Sequence, residues 1–134
     1  MPLVFAFLMA IQGAGDAPKV LAADAMSNVE RPRQAVARTA SEWDALWRDH
    51  AGARPRPDVD FSTTMVAAVF LGTRMTAGFE VAVTGTRRDG DALVIEWAEH
   101  APPRDAITAQ VITSPAVLVA LPRFDGEVRF ERKK

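Results

Sequence analysis

The chain has 134 residues, no cysteine and only two histidines. Without cysteine there is no disulfide framework, no thiolate metal site, no cysteine nucleophile and no lipidated N-terminal cysteine. A protein zinc site normally needs three or four clustered donors, so two histidines predict no metal and no cofactor. The formal net charge is −1, with acidic and basic residues interspersed. Nucleic-acid-binding proteins usually carry a basic stripe, so we predict no nucleic-acid partner.

Long hydrophobic runs are also missing. The run from Leu3 to Ile11 is too short to span a bilayer but has the length of a signal-peptide core, and small residues follow it. We therefore predict a signal-like segment over residues 1–15, an exported (periplasmic or extracellular) protein, and no membrane span in the mature chain. A basic n-region is absent, because Met1 and Pro2 lead directly into the run. Either the true start lies upstream, or the run is a buried core strand of a cytoplasmic protein.

The remaining composition, 49% hydrophobic and 25% charged, suits one globular domain. We read residues 16–33, which are rich in alanine, proline and charge, as a linker, and residues 34–134 as a β domain. One helix is predicted near its start. Thr39 and Glu42 have the spacing of a capping box, and Trp43 and Trp47 share one helical face with Leu46 and His50. Two tryptophans at this spacing are most often a core anchor.

The rest of the domain is predicted to be β structure. Thr64 to Leu71 is a nearly continuous apolar run typical of a central strand, and Asp89-Gly90 is a hairpin signal. The other predicted strands are Gln34–Arg38, Phe79–Thr86, Leu93–Trp97, Ile107–Thr113, Val117–Leu121 and Glu127–Phe130. We predict a mainly β (α+β) fold: a single small domain, an antiparallel sandwich or open barrel of about seven strands with one N-terminal amphipathic helix.

No set of residues indicates a reaction, so we assign no catalytic residue. The alternative is a hydrolase or a small-molecule-binding domain that uses Glu99, His100 and Arg104 around a double-proline loop. Ser114 lacks the glycines of a nucleophile elbow, and with Pro115 it is simplest as a turn. These five residues are secondary site candidates.

The link "LGTRMTAGF" is the main site candidate. Gly72 and Gly78 allow positive backbone φ, so the link can turn sharply between two apolar strands. Arg74 and Met75 would then project from a hairpin tip as an exposed cation and a flexible thioether, with Thr76 donating locally. Binding groups are often carried on loops held by a rigid sheet. A plain connection is an equally good interpretation of the residues alone.

A family resemblance extends this interpretation. The segments "EWDALW", "DFSTTMVAAVFLGTRMTAGFEVAV", "LVIEWAEHAPP", "ITSPAVLVALPR" and "GEVRF" together resemble the PrcB C-terminal domain-like family, over residues 40–131. The most specific matching pattern is Gly72, Arg74, Thr76, Gly78 and Phe79. The family commonly has proline, glycine and tyrosine where this chain has Met75, Ala77 and Phe79, and an aromatic residue where it has Ala116.

That family consists of small exported bacterial proteins or domains and is named after a subunit that supports a secreted protease complex. The resemblance therefore implies a non-enzymatic, exported protein-binding module that stabilises or regulates a partner such as a secreted protease, through the loop from Gly72 to Phe79. The same loop is distantly similar to the Thr-Gly-aromatic loop of chagasin-type protease inhibitors, through Thr76, Gly78 and Phe79. Neither the partner's identity nor the oligomeric state follows from the sequence.

Overall fold

The computed structural model describes residues 18–134, which form seven strands and one helix; the predicted signal-like segment lies outside them. In chain order the elements are β1 (Lys19–Asp24), β2 (Arg33–Ala37), α1 (Ala40–Ala51), β3 (Thr64–Phe70), β4 (Glu80–Asp89), β5 (Ala92–His100), β6 (Ala116–Pro122) and β7 (Val128–Lys133). No helix within residues 18–134 is long and apolar enough to cross a membrane.

The strands form two sheets. The four-stranded sheet has the order β1-β6-β3-β2 and is antiparallel throughout, and the three-stranded sheet has the order β4-β5-β7. Strand β4 packs across β6 and β3, so the sheets lie face to face. The fold is a small single-domain β-sandwich with one helix, which confirms the mainly β prediction and selects the sandwich over the barrel.

Strand β3 is buried on both faces, as its continuous apolar run predicts. Met65 and Val69 belong to the core between the two sheets, whereas Val66 and Phe70 belong to a second core beneath the helix. Side chains alternate between the faces of a strand, so a strand in the middle layer must be apolar at every position. The protein therefore has three layers: helix, four-stranded sheet and three-stranded sheet.

Helix α1 covers the outer face of the four-stranded sheet. Thr39 caps it by accepting a hydrogen bond from the Glu42 N–H at 3.1 Å, and the Glu42 carboxylate accepts one from the Arg38 N–H at 2.7 Å. The indoles of Trp43 and Trp47 are buried edge to face, with ring centroids 5.5 Å apart. Their N–H groups donate to backbone carbonyls of the connection that follows the helix, so neither indole is left unsatisfied. The predicted core anchor is confirmed.

Two predicted features of the chain course are wrong. Ile107–Thr113 is not a strand: it lies in a long connection, and its large apolar side chains are exposed. β-Branched residues favour a strand only where a neighbouring strand is available to pair with. Conversely, β1 lies in the stretch read as a linker. Its short sequence carries little pattern of its own, and it is held by pairing with β6, which is 92 or more residues away along the chain.

The expectation of a purely antiparallel sheet is also wrong at one pair, since β7 runs parallel to β5. Between β5 and β7 in sequence comes β6, which lies in the four-stranded sheet. The chain runs back along β6, opposite to its direction in β5. The chain then crosses back and lays β7 beside β5 in the same direction. The crossing passes through Asp125 and Gly126, and Arg38 fixes it by donating hydrogen bonds to the carbonyls of Phe124 and Gly126.

Candidate functional site

The link from Leu71 to Phe79 is not the tip of a hairpin, because β3 and β4 belong to different sheets. It closes one end of the sandwich by crossing between them. Both glycines have positive φ, +83° at Gly72 and +101° at Gly78. A Cβ on Gly72 would lie 2.8 Å from Cδ of Pro32, and one on Gly78 would lie 3.0 Å from Cβ of Pro102. The glycines therefore serve both backbone conformation and close packing.

Arg74 does not project into solvent as the sequence suggested. Its guanidinium donates from Nε to Glu99 Oε2 at 2.7 Å and from Nη2 to Oε1 at 2.9 Å. Nη1 donates to the carbonyls of Leu71 and Thr73, and the ring of Phe79 lies 5.8 Å from the guanidinium carbon. A bidentate pair of this kind fixes orientation as well as charge. Arg74 therefore anchors the loop to β5.

Glu99 is the partner that makes this anchor strong. Its side chain is 9% exposed, and Arg132 donates a third hydrogen bond to it at 3.0 Å. The hydrogen bond from Arg74 is the main cause that lowers the pKa of Glu99, against a smaller opposing effect of burial. A carboxylate held in this way is a poor proton acceptor, which argues against Glu99 as the general base of the alternative hydrolase.

The other residues of that alternative are not brought together with Glu99. His100 is exposed at the end of β5, on the opposite face, where it lies across from Glu80 of β4. Arg104 is exposed in the long connection. Ser114 is buried and its hydroxyl donates to the Ser27 carbonyl at 2.6 Å, so it acts as part of a packed turn. Within residues 18–134 no group of His, Asp and Glu side chains has the arrangement of a metal site.

The candidate loop packs against the second loop of this end, residues 101–115. Arg74 and Thr113 exchange backbone hydrogen bonds at 2.8 and 2.9 Å, and the Ala77 N–H donates to the Ala109 carbonyl at 3.0 Å. The Thr113 hydroxyl donates to the Thr76 carbonyl at 3.1 Å. The two loops are therefore one hydrogen-bonded unit, whose backbone is held without a regular strand ladder.

Large apolar side chains cover this unit. Of the six exposed large hydrophobic residues among those described, five lie on loops at this end of the sandwich. Ile107 is fully exposed, and Met75 and Ile112 are 69% and 59% exposed. We call the five the apolar loop surface: Met26, Met75, Ile107, Val111 and Ile112. A cluster of this kind marks interaction sites more often than a scatter of single residues does.

A buried polar network that was not predicted from the sequence lies on the outer, helix-covered face of the four-stranded sheet. His50 has a fully buried side chain; its Nε2 lies 2.7 Å from Asp24 Oδ2 and its Nδ1 lies 2.7 Å from Ser27 Oγ. Arg54 also donates to Asp24 at 2.8 Å and is the main cause that lowers the pKa of this carboxyl. Helical spacing alone could not reveal this network, because the partners of His50 are 23 and 26 residues away in sequence.

This Ser-His-Asp chain has the residue types of a hydrolytic triad but not the accessibility. Ser27 is 4% exposed, and its Oγ also accepts a hydrogen bond from the Val29 N–H at 3.1 Å. A nucleophile must reach substrate, so a hydroxyl turned into a buried network cannot serve as one. The network instead ties the end of β1 to the end of α1.

The fold and the site thus define a β-sandwich domain that carries an apolar surface on the loops at one end. The sequence model of the family described as PrcB C-terminal matches residues 65–122, from the start of β3 to the end of β6. The match confirms the resemblance to the PrcB C-terminal family that the motifs predicted, and it contains both interlocked loops. Searches of curated proteins and of solved structures found no significant match to the chain.

Proposed function

We propose that the protein is a non-enzymatic binding module that associates with a protease complex and contacts its partner through the apolar loop surface. The observation that carries the proposal is the concentration of exposed Met75, Ile107 and Ile112 on loops within the PrcB C-terminal match. Fully burying one such side chain yields about 1.5–3 kcal/mol, so burying several of them together would offset much of the entropy lost on association. Gly72, Arg74, Thr76, Gly78 and Phe79 shape and hold this surface.

The proposal gives Arg74 a different task from that of a recognition cation. Its charge is neutralised by Glu99, so the loop offers the partner apolar area and little net charge. Association through such a surface should depend weakly on salt, because the hydrophobic effect is not screened by ions. Met75 stands where the family commonly has proline, which makes it the residue that gives this chain its own specificity.

The test is co-purification of tagged chain from its native host. The wild type is compared with Met75→Ser/Ile112→Ser and with Ile107→Ser, and Ala45→Ser is the matched control, since Ala45 is an exposed apolar residue on α1, away from these loops. We expect a protease, identified by mass spectrometry and by its activity on casein, to accompany the wild type and the control only. Equal recovery with all variants, or no protease with any of them, would contradict the proposal.

We also propose that the protein is exported, as residues 1–15 suggest. Cell fractionation with N-terminal sequencing of the recovered protein tests this. A mature chain that begins close to the small residues around Gly13 would support export, and an intact Met1 in the cytoplasmic fraction would contradict it.

A further inference from the structure

The two sheets of the sandwich differ by one strand. Strand β4 packs on β6 and lies at an edge of the three-stranded sheet, while β1 extends the four-stranded sheet one position beyond β6. At the other side, Val128 and Phe130 of β7 pack against the core that includes Val36 of β2. The free edge of β4 therefore points toward β1, and no described strand of the three-stranded sheet covers β1.

Because no described strand covers it, the inner face of β1 is exposed. Val20 pairs with Val119 and Ala23 with Val117, and both partners are buried in the core between the sheets. Directly paired residues of antiparallel strands point to the same side. Val20 is nevertheless 57% exposed, and Ala23 is exposed too. The apolar inner face of the four-stranded sheet thus continues past the last strand that covers it.

An open cleft marks this position. It has a volume of about 330 Å³ and lies between Ala23–Ala25 of the four-stranded sheet and Phe79–Val81 of the other, with Pro115 and Ala116 also lining it. Edge strands direct alternate N–H and C=O groups outward, where an added strand can pair with them. One wall of the cleft is therefore a strand edge and the other an uncovered apolar strand.

We propose that an extended segment of the partner polypeptide adds to the edge of β4 and covers β1, which would complete a four-on-four sandwich. Strand addition of this kind takes affinity from the main chain and specificity from alternate side chains. The inference rests on the proposed function, because it specifies how the same partner binds. Phe79, the last residue of the loop that carries Met75, lines the cleft, so the cleft begins where this loop ends.

The chemistry of the segment follows from the residues of β4. Val81 faces the core, so the residue beside it on the added strand would be apolar and would rest on Ala23. Glu80 points to the outer face and forms no ion pair within residues 18–134, so a lysine or arginine beside it would be favoured. A bulge follows Val83 and limits regular pairing to the first part of β4. The segment is therefore short, with a basic residue between apolar ones.

The experiment uses random peptides displayed on phage as the probe and the full chain as bait. Selected peptides are synthesised, and their affinity is measured by fluorescence anisotropy for the wild type, Ala23→Arg, Ala45→Arg and Glu80→Lys. Ala45 is exposed on the helix, across the four-stranded sheet from the cleft, and is the matched control. Thermal unfolding verifies that each variant is folded.

We expect selected peptides with the apolar-basic-apolar pattern, and slower hydrogen exchange of the β4 edge amides when they bind. Ala23→Arg should weaken binding by about tenfold or more, because a long cation would occupy the floor on which the segment rests, whereas Ala45→Arg should not change it. Glu80→Lys should reverse the preference from basic to acidic peptides. Absence of such peptides, or equal affinity for Ala23→Arg, would overturn the inference.

Two other occupants are distinguishable. A dimer in sedimentation equilibrium that Ala23→Arg dissociates would assign the cleft to a second copy, and edge amides of β4 that lose protection on removal of residues 1–17 would assign it to this chain. Either result overturns the partner strand. If Ala23→Arg still co-purifies with a protease while the loop variants do not, the proposed function stands and only the strand addition fails.

Discussion

Replacing Glu99 by glutamine should destabilise the fold by about 2 kcal/mol. The carboxylate accepts two hydrogen bonds from Arg74, which is 25% exposed, and one from Arg132, which is 58% exposed. The pair with Arg132 contributes little, because exposed ion pairs are worth about 0–1 kcal/mol. The partly buried bidentate pair belongs with hydrogen bonds to charged groups, which are worth about 1.5–3 kcal/mol. Glutamine keeps the shape but turns an N–H₂ group toward a cation.

The assay is urea unfolding followed by tryptophan fluorescence, together with thermal unfolding. For a chain of this length, 2 kcal/mol corresponds to a fall in Tm of about 6–10 °C. Arg74→Met and the double variant with Glu99→Gln complete a cycle, in which the coupling between the two sites should be about 1–2 kcal/mol. Arg48→Met is the control, since Arg48 pairs with Asp44 at the surface and should cost under about 0.5 kcal/mol.

A Glu99→Gln variant no less stable than Arg48→Met, with no coupling to Arg74, would refute the reasoning. Arg74 would then be free to meet a partner, as the sequence suggested. If the expected loss is found, Arg74→Ala is a poor test of recognition, because it loosens the loop itself. Exposed Met75 and Ile107 are the appropriate positions.

Three further predictions follow from the same geometry. The pKa of Glu99 is lowered from its ordinary 4.5, so the stabilisation that this carboxylate provides is present above that pH and is lost as the pH falls through the lower folded-state value. The difference in urea stability between wild type and Glu99→Gln should therefore shrink as the pH falls below 4.5. Gly72→Ala should cost about 1–3 kcal/mol from its positive φ alone, whereas Gly85→Ala, with no atom within 4 Å of the new Cβ, should be tolerated in urea titrations. His50→Phe should cost about 1–3 kcal/mol, because it leaves the buried Ser27 hydroxyl without its side-chain partner, whereas the partly exposed Asp24 keeps its bond from Arg54; exposed His100→Gln should alter Tm little.

Features with a local cause were predictable from the sequence. The helix with its cap and tryptophan face, the doubly buried β3 and the Asp89-Gly90 hairpin each depend on residues within one turn or one strand of each other. The wrong features depend on distant neighbours. Strand β1 exists because β6 pairs with it, and Ile107–Thr113 remains irregular because it packs on the Leu71–Phe79 loop instead of a ladder. Periodicity carries no signal for either choice.

In the candidate site, too, local features were predictable from the sequence and features that depend on distant residues were not. Its glycine and arginine positions were found by pattern, but the role of Arg74 was not, because the carboxylate that neutralises it is 25 residues further on. The apolar loop surface was missed for the complementary reason. Ile107, Val111 and Ile112 look like core residues in sequence, and only the structure places them outside.

The glycine and arginine residues of the loop and its exposed apolar residues depend on one another. Exposed apolar side chains bind specifically only if the backbone beneath them is fixed, because an unfixed loop loses conformational entropy on binding. Gly72 and Gly78 allow the loop to approach its neighbours closely, and the Arg74–Glu99 pair fixes it to β5. Met75, which follows Arg74 directly, can therefore vary without changing the loop's course. The fixed course of the Gly72–Phe79 loop therefore lets exposed Met75 contact a partner with little further loss of loop entropy.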